Sequence, residues 1–167
     1  MPNDLDLAEQ RILALLQEDS SRSNADIAAE IGLSEAPCWR RVQRLKKEGY
    51  IKRQVCLLDR AKIGLTAQVF AYVKLSAVGR SNLSEFEEAI RGFPEVLECF
   101  VLMGNFDFML RIVTKDIEAY ERFFFDKLSQ VPGVQDVNSM VALSEIKATT
   151  RLPLELVCQG LVPSPLS

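Results

Sequence analysis

The stretch that decides the fold of the N-terminal part is LSEAPCWRRVQRLKKEGYI, residues 33–51. It places a proline, a cysteine, a tryptophan and five basic residues in one predicted helix. Ser34 offers an N-cap, and Pro37 falls in the first turn, where its missing N–H does no harm. At about 100° per residue, Cys38, Val42 and Leu45 lie on one side, which we expect to face a core.

The opposite side of this predicted helix is basic and carries an amide side chain. It presents Ala36, Arg40, Gln43 and Lys47, with Trp39 and Lys46 on one shoulder of the helix and Arg41 and Arg44 on the other. Arginine can bind guanine edges with two hydrogen bonds, and glutamine can bind adenine edges in the same way. The small side chain of Ala36 would let the start of the helix enter a DNA groove closely. The pattern therefore predicts a helix that lies in the major groove of DNA.

Two shorter patterns before this helix complete the predicted DNA-binding domain. Residues 5–19 read as a helix capped by Asp6, with Glu9 three positions later as in a capping box. Residues 24–32 read as a second helix that Gly32 ends in the left-handed conformation. Because so short a turn joins it to the quoted helix, the arrangement predicted is a helix-turn-helix.

After the quoted helix, the chain turns at Gly49 and then alternates apolar and basic residues. Ile51, Arg53 and Val55 predict a short pair of wing strands, which would place Lys52 and Arg53 beside the DNA backbone. The residues predicted to contact DNA are Ser34, Ala36, Trp39, Arg40, Gln43, Arg44, Lys47 and Lys52.

Each of these assignments has a plainer alternative. Trp39 could cover the edge of the domain's own core, and Arg41 and Arg44 could bind phosphates or nearby acids instead of bases. The whole basic surface could also be a solvated helix face that the acidic residues before it balance, or a site for acidic partners. Salt dependence separates the last alternative, because DNA affinity falls steeply as salt rises.

The charge distribution favours a polyanionic partner. The net charge of −3 divides into −5 for residues 1–33, +6 for residues 34–62 and −4 for residues 63–167. A local positive field attracts nucleic acid, while the acidic remainder limits indiscriminate binding.

From residue 68 onward the periodicity changes to strands mixed with helices. Strands are predicted over residues 68–76, 96–102, 108–113 and 134–143, and helices over residues 81–93 and 116–131. We expect Asp116 to cap the second of these helices. The side chains expected to point inward are Val69, Ala71, Val73 and Leu75 in the first strand and Leu83, Phe86, Ile90, Ile117, Tyr120, Phe124 and Leu128 in the helices. The order β-α-β-β-α-β is that of a ferredoxin-like domain.

The predicted fold class is therefore α+β, with two domains. A winged helix-turn-helix DNA-binding domain occupies residues 1–60, a linker residues 61–67, a ferredoxin-like βαββαβ domain residues 68–152 and a tail residues 153–167. Since Phe70 and Tyr72 make the second face of the first strand apolar as well, we expect two copies to pack through their sheets as a homodimer.

The composition argues against an enzyme, a metal site or a membrane protein. The chain contains no histidine, which removes the common nucleophile pairs and zinc ligands, and it carries no phosphate-binding loop. The four cysteines, Cys38, Cys56, Cys99 and Cys158, are scattered, and we expect them to be reduced. No long apolar run and no signal peptide are evident, so a cytoplasmic location without cofactors is expected.

Taken together, these motifs resemble the leucine-responsive regulator and asparagine-synthase regulator family (Lrp/AsnC) over residues 4–152. The matching stretches are LDLAEQRILALLQED, DIAAEIGLSEAPCWRRVQRLKKEGYI, VLMGNFDFMLRI and VPGVQDVNSMVALSEIK. The segments PCWRRVQRL and IKATTRLPL most resemble the branch that contains the cysteine-detoxification regulator.

The resemblance implies a transcription regulator whose dimers assemble into octamers and bind an amino-acid effector between dimers. The residues that match the family's binding turn are Met103, Gly104, Asn105, Phe106 and Asp107, with Ser139 facing them across the interface. Gly104 would let backbone N–H groups approach a carboxylate, and Asp107 would hold an ammonium group. The alternatives are an ordinary hairpin turn here, and a DNA-organising protein or an assembly module for the whole chain.

Overall fold

The computed structural model describes residues 5–157 and divides them into two compact units. Residues 5–56 and 147–157 form the first, which we call the helical unit, and residues 57–146 form the second, the sheet unit. The predicted α+β class is confirmed, with a helix-turn-helix domain followed by a ferredoxin-like domain.

Three helices build the helical unit: α1 (Leu7–Glu18), α2 (Asn24–Ile31) and α3 (Glu35–Lys47). The predicted capping box is present, since Glu9 N donates to Asp6 Oδ1 at 2.7 Å and Asp6 N donates to Glu9 Oε2 at 3.1 Å. Gly32 ends α2 with φ of 73°, as predicted. The core residues of the unit are Ile12, Ile27, Ala28, Cys38, Val42 and Leu45.

The predicted pair of wing strands does not form in the described chain. Gly49, at φ of 80°, ends α3, and Ile51 N donates back to Leu45 O at 3.2 Å. Ile51 is thereby drawn onto the helical core, and residues 52–59 form neither helix nor strand. The alternation of apolar and basic residues there finds no neighbouring strand with which to pair.

The end of the chain returns to the helical unit instead of staying with the sheet. The Gln17 side chain donates to Leu152 O and accepts from Leu152 N, each at 3.0 Å, and Arg151 pairs with Glu18 at 3.7 Å. Residues 147–152, which the sequence prediction gives as the end of the second domain, therefore pack with the helical unit. A short 3₁₀ helix follows at Leu154–Leu156, and residues 158–167 of the predicted tail, with Cys158, lie outside the described residues.

The predicted linker, residues 61–67, is an ordered turn followed by the start of the sheet. Asp59 Oδ1 accepts from Ala61 N at 3.0 Å, and Arg60 Nη1 donates to Thr66 O at 2.9 Å. Thr66 N in turn donates to Lys115 O at 3.1 Å, so this segment is fastened to the sheet unit.

The sheet unit has four antiparallel strands in the order β2-β3-β1-β4. They are β1 (Ala67–Leu75), β2 (Val96–Val101), β3 (Phe108–Thr114) and β4 (Val134–Val141). The helices are α4 (Ala77–Ser81), α5 (Leu83–Gly92) and α6 (Ile117–Asp126), followed by a 3₁₀ helix at Leu128–Gln130. This is the predicted ferredoxin-like order with one helix, α4, that the sequence pattern did not reveal.

Helices cover one face of the sheet and form its core with it. Phe86 and Ile90 of α5 and Tyr120 and Phe123 of α6 pack over the buried residues of β1 and β3. Leu83 and Ile117, predicted to point inward, are exposed. Each is the first residue of its helix, and the buried stripe begins only at the next turn.

No helix of the described chain covers the other face. Phe70 and Tyr72 of β1 lie there beside Met109 of β3, with Phe100 and Met140 about half exposed on the two outer strands. Arg111 and Glu98 form an ion pair within the same face. This largely apolar surface is the one from which the sequence predicts a dimer.

Two glycines let α4 approach the start of β4. An ideal Cβ on Gly79 would lie 2.5 Å from Gly133 O, and one on Gly133 would lie 2.4 Å from Gly79 Cα. Ser76 N donates to Gly133 O at 2.9 Å in the same contact. Since both neighbours are backbone atoms, neither can move aside without shifting an element.

We therefore expect Gly79→Ala to lower the free energy of unfolding by about 1–3 kcal/mol through overpacking. Gly92→Ala is the matched control, because its added Cβ would meet nothing within 4 Å, and it should be neutral or stabilising. Urea titrations followed by circular dichroism measure both variants. Equal stability of the two would contradict a close backbone contact at Gly79.

Candidate DNA interface and candidate ligand site

The outer side of α3 is open to solvent along its whole length. Of the eight predicted DNA-contacting residues, seven are exposed: Ser34, Ala36, Trp39, Arg40, Gln43, Lys47 and Lys52. Trp39 keeps 50% of its surface exposed and is not among the side chains that pack against the helical core. Within residues 5–157, Arg40, Gln43 and Lys47 make no side-chain hydrogen bond or ion pair, so their polar groups can serve an external partner.

Ser34 is the N-cap residue of α3, as predicted, but its hydroxyl makes no capping hydrogen bond. Pro37 occupies the first turn and has no N–H. The other N–H groups at this end therefore have no side-chain cap, a condition that favours an anionic neighbour such as a phosphate.

Arg44 differs from its neighbours because it is tied into the helical unit. Its Nη1 lies 2.8 Å from Glu9 Oε1, and its Nε lies 2.9 Å from Glu48 Oε1. The Glu9 side chain is only 1% exposed and also accepts the Asp6 N–H of the capping box. One buried carboxylate thus joins the start of α1 to the middle of α3.

A second ion pair holds the same two helices together. Arg41 donates from Nη2 and Nε to Asp6 Oδ2 at 3.2 and 3.3 Å. Burial opposes ionisation of Asp6, but the Glu9 N–H and the Arg41 guanidinium prevail and lower the pKa of Asp6 below 3.8. Because folding lowers the pKa of Asp6, the ionised Asp6 carboxylate stabilises the folded state fully above about pH 4. This stabilisation is lost as the pH falls through the folded-state pKa.

The residues of the predicted binding turn lie between β2 and β3. Leu102 N donates to Asp107 O at 2.8 Å and Asp107 N donates to Val73 O at 2.9 Å, which fastens the turn to β1. Met103 is fully exposed, and Phe106 packs against the Tyr72 ring with centroids 5.7 Å apart. Asn105 and Gly104, at φ of 154°, are also exposed, so the turn presents its backbone to solvent.

Asp107 is more constrained than a hairpin residue that caps its own backbone. Its Oδ2 accepts from Leu75 N at 2.7 Å and lies 3.3 Å from Arg80 Nη1. The sequence did not point to Arg80, because that residue lies on the unpredicted helix α4.

Ser139 is placed away from this turn within one chain. It pairs with Ala71 on the opposite side of β1, and its hydroxyl is hydrogen-bonded to Tyr120 under α6. Burial raises the pKa of Tyr120, and the bond to Ser139 opposes that rise. Both residues line an open groove of about 350 Å³ whose other walls include Ile117, Phe124, Phe125 and Val137.

Two further properties of residues 5–157 bear on function. They contain no group of three or more histidine, cysteine, aspartate or glutamate side chains that could hold a metal ion. Among their helices, none has the length and apolarity that a membrane crossing requires.

A helix-turn-helix unit with an exposed basic helix, joined to a ferredoxin-like unit, defines a DNA-binding transcription regulator. Comparison with known proteins identifies the family to which this regulator belongs. Residues 5–52 match a winged helix-turn-helix DNA-binding model, and residues 68–152 match the Lrp/AsnC ligand binding domain. The chain belongs to the Lrp/AsnC family of transcriptional regulators.

Individual relatives match over nearly the whole chain. The transcriptional regulator AzlB of Bacillus subtilis is 38% identical over 90% of this chain and 96% of its own. A proline dehydrogenase transcriptional activator of Rhizobium radiobacter is 37% identical over 88% of this chain and 94% of its own. The structure of a Neisseria meningitidis regulator in complex with L-Met superposes with a TM-score of 0.88 at 34% identity, covering 92% of this chain and 99% of that one.

The ion pair between Glu9 and Arg44 predicts an asymmetry between two variants. Within the part of the chain that the structure describes, Arg44→Met leaves the buried Glu9 carboxylate with the Asp6 N–H alone, and it should cost about 1–3 kcal/mol of stability. Arg40→Met removes an exposed side chain and should change stability by less than about 0.5 kcal/mol. Thermal unfolding of both variants tests this difference, and equal melting temperatures would contradict a structural role for Arg44.

Proposed function

We propose that this chain regulates genes of amino-acid metabolism by binding double-stranded DNA through α3, and that an amino-acid effector changes that binding. The observation that carries the proposal is the outer side of α3, where the side chains of Arg40, Gln43 and Lys47 project without partners in the described chain. Two ion pairs to α1 hold that helix in place, so its outer side chains are already arranged for a groove.

Each exposed residue is assigned a role by its chemistry and its place on the helix. Arg40 and Gln43 would bind base edges, with Ala36 and Trp39 in contact with the groove walls. Ser34, Lys47 and Lys52 would bind phosphates. Arg44 would mainly position α3 and reach a phosphate with the exposed part of its guanidinium.

The effector is proposed to be an amino acid bound at the turn of residues 103–107. The exposed backbone around Gly104 and the carboxylate of Asp107 suit the two charged groups of such a molecule. The L-Met complex of the Neisseria meningitidis relative and the proline dehydrogenase activator support both the ligand class and the link to amino-acid metabolism.

We further propose that two chains pair through the bare face of the sheet, with dimers assembling to an octamer in the cytoplasm. The apolar side chains of that face support the pairing. Ser139 would then contribute to the effector site across an interface between dimers. No cofactor and no catalysis enter this proposal. The rival function is a DNA-organising protein that senses no ligand.

The DNA-reading roles predict different behaviour for two exposed basic residues. Arg40→Ala should cost about 1–3 kcal/mol at a specific site and relax the preference at one base pair, because it removes a base contact. Lys47→Ala should weaken binding to all sequences alike and reduce the salt slope by about 1, because it removes a phosphate contact. Selection from a randomised DNA pool followed by salt titrations measures both. An unchanged base preference in the Arg40 variant would overturn its role.

The effector role of the turn predicts that Gly104→Asp abolishes amino-acid binding with the fold intact. A Cβ there meets nothing within 4 Å, although a side chain at a φ of 154° strains the backbone, and the new carboxylate would repel the carboxylate of the effector. Gly64→Asp is the control, since Gly64 also has positive φ and open space in the same unit. Calorimetric titration with a panel of amino acids separates the variants, and normal binding to the Gly104 variant would contradict the proposed site.

A further inference from the structure

The guanidinium of Arg80 has a hydrogen-bonding edge that the described chain leaves open. Its Nη1 approaches both oxygens of Asp107, at 3.3 and 3.4 Å, and the Arg80 side chain is 52% exposed. Within residues 5–157, Nε and Nη2 of Arg80 make no hydrogen bond. These two nitrogens form the edge that binds a carboxylate through two parallel hydrogen bonds.

Arg111 of the same unit shows how the Nε–Nη2 edge of an arginine binds a carboxylate. Its Nε and Nη2 bind the two oxygens of Glu98 at 2.9 and 3.1 Å. These hydrogen bonds lower the pKa of Glu98 below 4.5. Arg80 presents the same chemistry to solvent, beside the exposed turn of residues 103–107.

Asp107 supplies the opposite charge next to this open edge. Its Oδ2 accepts from Leu75 N, whereas the one contact of its Oδ1 within residues 5–157 is the long 3.4 Å approach of Arg80 Nη1. Oδ1 can therefore accept a stronger hydrogen bond from an ammonium group. A cation and an anion side by side bring no net charge, which matches a ligand that is itself a zwitterion.

We infer that Arg80 is the carboxylate anchor of the effector: its Nε–Nη2 edge binds the carboxylate of a free amino acid while Asp107 Oδ1 binds the ammonium group. The two charged groups of an α-amino acid are joined through a single carbon, so adjacent partners of opposite charge can hold both. Arg80 thus selects zwitterionic α-amino acids over amines and amides. The inference deepens the proposed function and rests on it.

Other parts of the fold hold Arg80 in this position. The Ser76 hydroxyl accepts from Gly79 N at 3.1 Å at the start of α4, and Gly79 touches the backbone of Gly133. The contact fixes α4 against the start of β4. The guanidinium is therefore presented from a helix with a defined position and not from a free loop.

The test compares amino acids with their carboxamides on the full-length chain. Calorimetry with each proteinogenic L-amino acid first identifies those that bind, and the carboxamide of each binder is then titrated. The unmodified chain should bind the carboxamide about 10–100-fold more weakly, because a charge-assisted pair is lost. In Arg80→Gln the affinity for the amino acid should fall by a similar factor, so that the ratio of the two dissociation constants, carboxamide to amino acid, falls towards one.

Two further variants keep the result interpretable. Arg80→Lys preserves the positive charge beside Asp107 but not the pair of donors, Nε and Nη2, that binds a carboxylate. It should retain only part of the discrimination between an amino acid and its carboxamide. Arg91→Gln removes an arginine that pairs with Glu87 elsewhere in the unit and should leave the ratio unchanged. Circular dichroism verifies that each variant is folded.

The possible outcomes separate this inference from the function on which it rests. Retained discrimination in folded Arg80→Gln would overturn the role of Arg80 and leave the proposed effector site standing. A change in assembly state without a change in the ratio would instead assign the open edge to a carboxylate of another copy. Failure of every amino acid to bind the unmodified chain would overturn both proposals.

Discussion

The DNA-binding unit depends on the two interactions that the buried carboxylate of Glu9 makes. It accepts the N–H of Asp6 at the start of α1 and the guanidinium of Arg44 in the middle of α3. A charge in that position is costly unless both partners are present, so the two helices are coupled. The neighbouring pair of Asp6 and Arg41 adds a second link. As a result, two basic side chains of α3 serve the fold, while Arg40 and Lys47 have no side-chain partner among residues 5–157.

The sheet unit has a corresponding constraint in the carboxylate of Asp107. That side chain fastens the turn of residues 103–107 to the end of β1 through Leu75 N and to α4 through Arg80. The turn therefore projects from a fixed base with its backbone exposed. The chain passes between the two units twice, after residue 56 and again after residue 146, because residues 147–157 return to α1. A ligand-binding unit and a DNA-binding unit are thus joined by two covalent connections.

Local chemistry made much of this predictable from the sequence. The capping box of Asp6 and Glu9, the left-handed Gly32 and the cap at Asp116 are short-range signals, and all are present in the structure. The features that were not predicted depend on distant residues. Glu9, the buried partner of Arg44, lies 35 positions away, and Arg80, the charged partner of Asp107, lies on a five-residue helix too short to show a periodic pattern. The predicted wing strands do not form for the same reason. A strand needs a neighbouring strand to pair with, and the alternation of apolar and basic residues does not provide one.

The most direct test of the account is a binding titration with the DNA that precedes this chain's own gene, at two salt concentrations and with each amino acid in turn. A regulator of the kind described here should bind tightly and lose affinity steeply with salt, with a logarithmic slope of about −0.9 per phosphate contacted. One or a few amino acids should change that affinity. Binding that ignores every amino acid would contradict the effector site, and no binding even at low salt would contradict the role of α3.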